Sequence, residues 1–248
     1  MNTSGDIQLD SSACTTTWNA YGALAQKYSP QGTQTVDTTC VTYFAGQAAM
    51  VDWSTFLLDE LGGLRNDALP TCPECASDPT WLAKKSGIVT SIHGPDGTDG
   101  GTYGEATSWL ITKKANASAS EQFVEYMLSD GYLDWLGVAP EGKVPLRTGT
   151  VDNATAFSDG WKDLEAGVDT KKKLSDIYDA ATIDALLTVP ATIDRWAIPQ
   201  DQGALLGPVT TQLPISKAVA SLGSGISPAD AAQTATSAFE QLQAKLKK

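Results

Sequence analysis

The stretch Tyr43-Phe-Ala-Gly-Gln-Ala-Ala-Met-Val-Asp-Trp-Ser-Thr-Phe-Leu-Leu-Asp-Glu-Leu61 organises the reading of the whole chain. Its pattern predicts a short aromatic helix end, a turn at Gly46, a buried strand from Ala48 to Val51 and a new helix from Ser54 to about Leu61. Asp52 and Trp53 then fall at the far end of that strand. A carboxylate beside an indole in such a place suits a sugar, because the ring stacks on the apolar face and the acid takes the hydroxyls. The same two residues also read as an exposed helix cap and a core aromatic. Both readings stay open at this point.

Composition narrows the class of protein. The chain has 248 residues, enough for one large domain or two small ones with a sizeable core. Hydrophobic residues make up 42% and charged residues 19%, which describes a folded chain and not a disordered one. Twenty-nine acidic against 17 basic residues leave a net charge of −12, which repels nucleic acid and anionic membrane surfaces. A neutral or cationic small partner is favoured instead. No apolar run reaches the ~20 residues of a membrane span. The opening Met-Asn-Thr-Ser-Gly-Asp has neither the basic nor the apolar region of a signal peptide.

The four cysteines point to an oxidising compartment. Cys72-Pro-Glu-Cys75 is flanked by Pro70 and Pro79, a loop setting unlike the strand-to-helix junction of a thioredoxin motif. Zinc would need a second pair or nearby histidines, and the chain has only Cys14, Cys40 and the single His93 besides. A small structural disulfide is expected at Cys72 and Cys75, with Cys14–Cys40 as a second pair; four free thiols are the alternative.

Working outward, Ile7 to Leu9 reads as a strand, followed by a helix capped by Ser11 or Ser12 with Trp18, Tyr21, Leu24, Ala25 and Tyr28 at helical spacing. Residues 31–41 read as a loop, as does the turn-rich connection from Leu64 to Pro79. Ile88 to Ile92 and Glu105 to Thr112 read as strands. Between them, Asp96 and Asp99 lie in a Gly-rich turn without EF-hand spacing, and His93 has no partner motif. A capping box, Ser118 to Glu121, is expected to open a helix carrying Phe123, Tyr126 and Met127, and Asp130 to cap a second helix with Leu133 and Leu136. Val209 to Leu222 reads as one helix, and Ser227-Pro228 starts the last, striped by Ala235, Phe239, Leu242 and Leu246. Asn2, Asn116 and Asn153 fit the glycosylation triplet by pattern.

Catalytic content is thin. No nucleophile elbow, zinc-protease, phosphate-loop or dinucleotide motif is present, and one histidine removes most His-dependent triads. Asp52, Glu105 and Asp201 are the carboxylates available for a glycosidase pair, whose chemistry needs a defined separation. The chain is richer in indoles beside hydrogen-bonding groups: Asp52 with Trp53, Glu105 with Ser108 and Trp109, and Arg195 with Trp196. That is an inventory for recognition, with no cofactor implied.

Several segments resemble, in order, the C-terminal half of bacterial extracellular solute-binding proteins of family 1, the sugar-binding components of ABC importers. Phe44-Ala-Gly-Gln-Ala-Ala-Met-Val-Asp-Trp53 is similar to that family's Gly-x-Ala-Ala-Met segment followed by an aromatic. Ser108-Trp-Leu-Ile-Thr-Lys-Lys-Ala-Asn-Ala-Ser-Ala-Ser-Glu-Gln-Phe-Val-Glu-Tyr-Met-Leu-Ser129 is similar to its strand, turn and helix. Val144-Pro-Leu-Arg147 and the Ala-rich helix from Ser227 complete the likeness.

The resemblance implies an α/β, periplasmic-binding-protein-like fold of two lobes with ligand in the cleft between them, here incomplete because the family's N-terminal half has no counterpart. On that basis residues 1–90 and 155–248 belong to the second lobe, and 91–154 to the first lobe with the hinge crossings. It further implies a non-enzymatic, extracytoplasmic protein that binds a mono- or oligosaccharide and passes it to ABC permease subunits. A monomer is expected, and a lipid anchor on the full-length protein is left open. Carried over by position, the ligand-binding residues are Asp52, Trp53, Glu105, Ser108, Trp109, Arg195 and Trp196. Catalytic residues and metal ligands are not expected. The alternative is a carbohydrate-active enzyme using paired carboxylates.

Overall fold

A computed structural model describes residues 1–32, 34–94, 97 and 100–246. In chain order the helices and strands are α1 (Ser12–Lys27), α2 (Val36–Phe44), α3 (Leu57–Leu61), α4 (Trp81–Lys85), α5 (Ala117–Met127), α6 (Tyr132–Leu136), α7 (Ala156–Lys162), β1 (Glu165–Ala166), β2 (Lys172–Lys173), α8 (Ala180–Thr188), α9 (Leu206–Gln212), α10 (Pro214–Gly223) and α11 (Pro228–Leu246). The chain divides into two units. Unit 1 holds Met1–Thr35, His93–Gly100 and Asp194–Lys248, and unit 2 holds Val36–Ile92 and Gly101–Ile193. Each of the three expected lobe segments contributes to unit 2.

Unit 1 is built on α1, α10 and α11, which pack side by side through small residues. Ala218, Ala231, Ala232 and Ala235 are buried there, so the helices approach closely around Trp18 and Leu222. The Trp18 indole N–H donates to the Leu9 carbonyl at 2.8 Å, and Gln26 Nε2 donates to the Leu222 carbonyl at 3.1 Å. Ser11 caps α1, accepting from the Cys14 N–H, and Ser227 Oγ accepts from the Asp230 N–H at the start of α11. The stretch read as one helix from Val209 is two. Pro214 lacks an N–H and fixes its φ, so Leu213 turns to a left-handed φ of 50° and separates α9 from α10. Ile7 to Leu9 forms no ladder; Ile7 and Leu9 pack instead against the unit's apolar clusters.

Unit 2 gathers α2–α8 and the β1–β2 hairpin around one core, with Phe44, Leu58, Leu64, Leu136, Trp161 and Leu186 among its buried side chains. The hairpin pairs Glu165 with Lys173 and Ala166 with Lys172. Gly167 closes it at φ 100°, where a Cβ would stand 2.2 Å from the Thr170 carbonyl oxygen and 2.6 Å from the Leu64 Cβ. Two buried hydrogen bonds span the core. Trp161 Nε1 donates to the Pro140 carbonyl at 3.0 Å, and the Tyr178 hydroxyl donates to the Leu58 carbonyl at 2.7 Å.

Several elements differ from the sequence reading. Residues 36–41, read as the end of a loop, form α2 together with the helix end expected at Tyr43 and Phe44. Ala48 to Val51 is irregular, and Met50 is 79% exposed. Glu105 to Thr112 has no regular structure and no ladder, and Leu110 is 87% exposed. In the Ile88 to Ile92 segment the pairing is a single bridge, Ile92 to Gly101. These segments have strand composition, but β propensity expresses packing against neighbouring strands, and among the described residues they have none. Asn116, not Ser118, caps α5, accepting from the Ala119 N–H, and Gly131 stands at the α6 N-cap in place of Asp130. Leu246, on the stripe expected to face the core, is about half exposed, as are Phe123 and Tyr126 on α5.

Trp161→Phe removes the donor to Pro140 while keeping an aromatic ring. It lowers the stability of unit 2 by about 1 kcal/mol in urea unfolding, the net worth of one hydrogen bond, because the Pro140 carbonyl still accepts from the Lys143 N–H at 3.3 Å; an unchanged midpoint means that the hydrogen bond is dispensable.

Candidate functional site

The quoted stretch leads directly to a cleft in unit 2. Helix α2 ends at Phe44, and Gly46 takes a left-handed φ of 70° that turns the chain away, with its Cα side facing the Cys72 Cβ. The Thr71 N–H donates to the Phe44 carbonyl at 2.9 Å, which fastens the following Cys72–Cys75 loop to the end of α2. That loop is closed by the Cys72–Cys75 disulfide, and both cysteines are buried. Cys14 and Cys40 are free thiols, so the second pairing considered from the sequence does not form. Burial, aided by Glu60 and Asp37, pushes the Cys40 thiol up, keeping it protonated and unreactive.

Helix α4 forms the opposite wall. Asp78 opens it: its Oδ1 accepts from the Thr80 hydroxyl at 2.6 Å and the Thr80 N–H at 3.0 Å, and its Oδ2 accepts from Lys84 at 2.9 Å. The Thr80 hydroxyl, then Lys84, pull the Asp78 carboxyl down to about 2. The cleft between these walls is open and about 530 Å³ in volume, lined by Tyr43, Gly46, Glu74, Trp81, Lys85 and Ser86 among others. The Tyr43 and Ser86 hydroxyls lie 2.7 Å apart, and Ser86 Oγ also donates to the Leu82 carbonyl at 2.8 Å. Ser86 has a single proton, so Tyr43 is the donor in their bond and its own oxygen still accepts. Two aromatic side chains, a hydroxyl pair, one carboxylate and one ammonium thus converge on one concavity. This combination is chemically suited to a small polar molecule with apolar faces.

The residues singled out from sequence are placed differently. Asp52 is exposed, and Trp53 is half-buried against the unit 2 core, the packing role that the sequence left open for it. Glu105 and Ser108 are exposed on the irregular segment 105–112. Trp109 joins an aromatic cluster, 5.5 Å from Phe123 edge-on and 5.0 Å from Trp135. It lines a second groove of about 400 Å³ whose other walls are mainly apolar, Leu110, Ile111 and Phe123. Arg195 and Trp196 belong to unit 1, where Trp196 is 41% exposed and lies 5.9 Å from Phe239. None of the seven lines the Tyr43–Trp81 cleft.

Asp52, Glu105 and Asp201 are all exposed, while the two buried carboxyls among the described residues are Asp59 and Glu141. Neither was singled out from sequence. Among the described residues no group of three His, Cys, Asp or Glu side chains is arranged to hold a metal, and Asp96 and Asp99 lie outside those residues. Nor is any described helix long and apolar enough to cross a membrane.

Comparison with protein-family models, with curated proteins and with solved structures returned no match.

Replacing Cys72 and Cys75 by serine opens the loop that walls the cleft. A loop this short stabilises by about 2 kcal/mol through chain entropy, so urea unfolding of the double serine variant shifts by that amount relative to the oxidised protein. An equal shift on adding reductant to the native chain checks the assignment, and no shift in either experiment refutes it.

Proposed function

We propose that this chain is the carbohydrate-binding component of an extracytoplasmic ABC importer, holding a mono- or oligosaccharide and delivering it to the permease. The observation that carries the reading is the Tyr43–Trp81 cleft, which sets aromatic faces beside Ser86, Glu74 and Lys85. A pyranose offers that pairing of surfaces, with C–H faces for the rings and a rim of hydroxyls for the polar groups. The ordered likeness of four segments to sugar-binding proteins supports the same class. So does the Cys72–Cys75 disulfide, a bond that persists outside the reducing cytoplasm. The net charge of −12 suits an uncharged ligand. The family's two-lobe α/β architecture is part of the proposal.

Calorimetry against a panel of neutral sugars tests the reading. Trp81→Ala is expected to weaken binding of the responding sugar about tenfold, equivalent to ~1.4 kcal/mol, and Tyr43→Phe to weaken it by a smaller factor. Trp53→Ala is expected to lower the unfolding midpoint and leave the affinity unchanged. Heat from no sugar refutes the proposal; loss of affinity in Trp53→Ala but not in Trp81→Ala moves the site to Asp52 and Trp53.

A further inference from the structure

Away from the cleft, the unit 2 core contains two carboxyls that the proposed function does not use. Asp59 on α3 is 2% exposed and Glu141, in the 3-10 turn Pro140–Gly142, is 5% exposed. Asp59 Oδ1 and Glu141 Oε2 are buried without a hydrogen-bond partner. Helix α3 and the turn pack directly on each other. The turn is held on both sides: Pro140 accepts from Trp161 Nε1 at 3.0 Å, and a Cβ on Gly142 would stand 2.2 Å from the Phe56 ring, just before α3. Glu141 is therefore fixed in the interface and cannot swing out to water without breaking these contacts.

Two buried carboxylates in one interface repel each other and lose hydration, while a protonated carboxyl gains a donor and sheds its charge. We propose that Asp59 and Glu141 form a proton-holding pair that makes the docking of the 140–142 turn onto α3 sensitive to pH. The surrounding charges do not compensate for the burial. Burial comes first in raising both carboxyls above their ordinary values of 3.8 and 4.5, and Asp59 adds to the rise at Glu141. The opposing groups are the Glu60 N–H, then Arg65 and the Asp59 N–H, on the side of Asp59, and the Glu141 N–H, then Lys143 and Lys171, on the side of Glu141. Arg65 is engaged by Asp67 at 2.9 Å and Glu60 at 3.8 Å, Lys143 lies over the Trp135 ring at 5.2 Å, and Lys171 donates to the Gly167 carbonyl. Asp67 adds negative charge near Asp59, and Asp59 in turn raises the Glu60 carboxyl, after the burial of Glu60 itself. Tyr178 faces it with a hydroxyl already given to Leu58. Glu165 on β1, which also packs on the turn, is exposed, and Lys84 on α4 is paired with Asp78.

The sign follows from the raised native values. The stabilisation is complete below the ordinary values of 3.8 and 4.5 and is lost as pH rises through the native ones. The proton leaves to solvent, both oxygens are charged, and the turn loosens from α3.

The test compares thermal unfolding of the full chain at pH 5 and pH 8 with that of the Asp59→Asn/Glu141→Gln double variant. Glu121→Gln, an exposed site on α5, serves as the control for overall charge. The double variant is expected to lose about 3 °C less than the native chain between these pH values, with the control following the native chain. An undiminished pH dependence in the double variant overturns the proposal. Carboxyl carbon NMR of the native chain gives an answer whether or not the variant folds. Two resonances titrating above the ordinary range, with faster exchange of the Gly142 and Lys143 amides once they ionise, support the pair, and titration of every carboxyl at or below 4.5 overturns it.

Discussion

The hydrogen bond from the Tyr178 hydroxyl to the Leu58 carbonyl joins residues 120 positions apart and underlies the order of unit 2. A five-residue helix has almost no stability of its own, since nucleation costs more than one turn returns. Helix α3 persists because Leu57, Leu58 and Leu61 are buried and because this phenol occupies a carbonyl in the interior. Burial pushes the Tyr178 phenol far up, with Asp59 and Tyr43 adding to the rise, so it remains a donor at any ordinary pH. The cleft at Tyr43, the acid pair and the Trp161–Pro140 bond are all arranged around the core that α3 anchors.

Short elements make the second theme. Among the described residues of unit 2, α5 with 11 residues is the longest helix and the hairpin strands have two residues each. Regular ladders therefore satisfy few backbone groups, and loop hydrogen bonds carry more of the order. The Leu64 carbonyl accepts from the N–H groups of Val168, Asp169 and Thr170 at 3.2–3.3 Å, and Tyr132 Oη accepts from Leu146 and Arg147. Unit 1 contrasts with this. Its 16-residue α1 and 19-residue α11 pack through alanines, where small side chains allow helices to lie close.

The proposed binding cleft and the proposed proton-holding pair occupy different parts of the same unit. The cleft is open, with Glu74 and Lys85 exposed on its wall, so its charges are well solvated and suited to reversible contact with a polar ligand. Asp59 and Glu141 are sealed from water, where the same type of group becomes a constraint on packing. Depth of burial separates the two roles more than residue type does.

The sequence by itself determined the long helices and their caps. Ser11 before α1 and Ser227-Pro228 before α11 are local devices that act through side chains a few residues away, and periodicity placed Trp18, Ala235, Phe239 and Leu242 inside. It also determined the Cys72–Cys75 bridge, because three residues of separation suffice to bring the sulfurs together. The tertiary structure decided the rest. Strand-like segments at 48–51 and 105–112 stay irregular because a ladder depends on a neighbour that local composition cannot specify. Tyr43 and Trp81 are 38 positions apart, and the fastening of Thr71 to Phe44 together with the Tyr43–Ser86 hydroxyl bond joins α4 to the end of α2 at the cleft. Trp53, the most conspicuous indole in the quoted stretch, turned to the core, and Asp59 and Glu141 were both buried. Burial is a property of what the rest of the chain brings to a residue, so neither result was legible in the pattern around it.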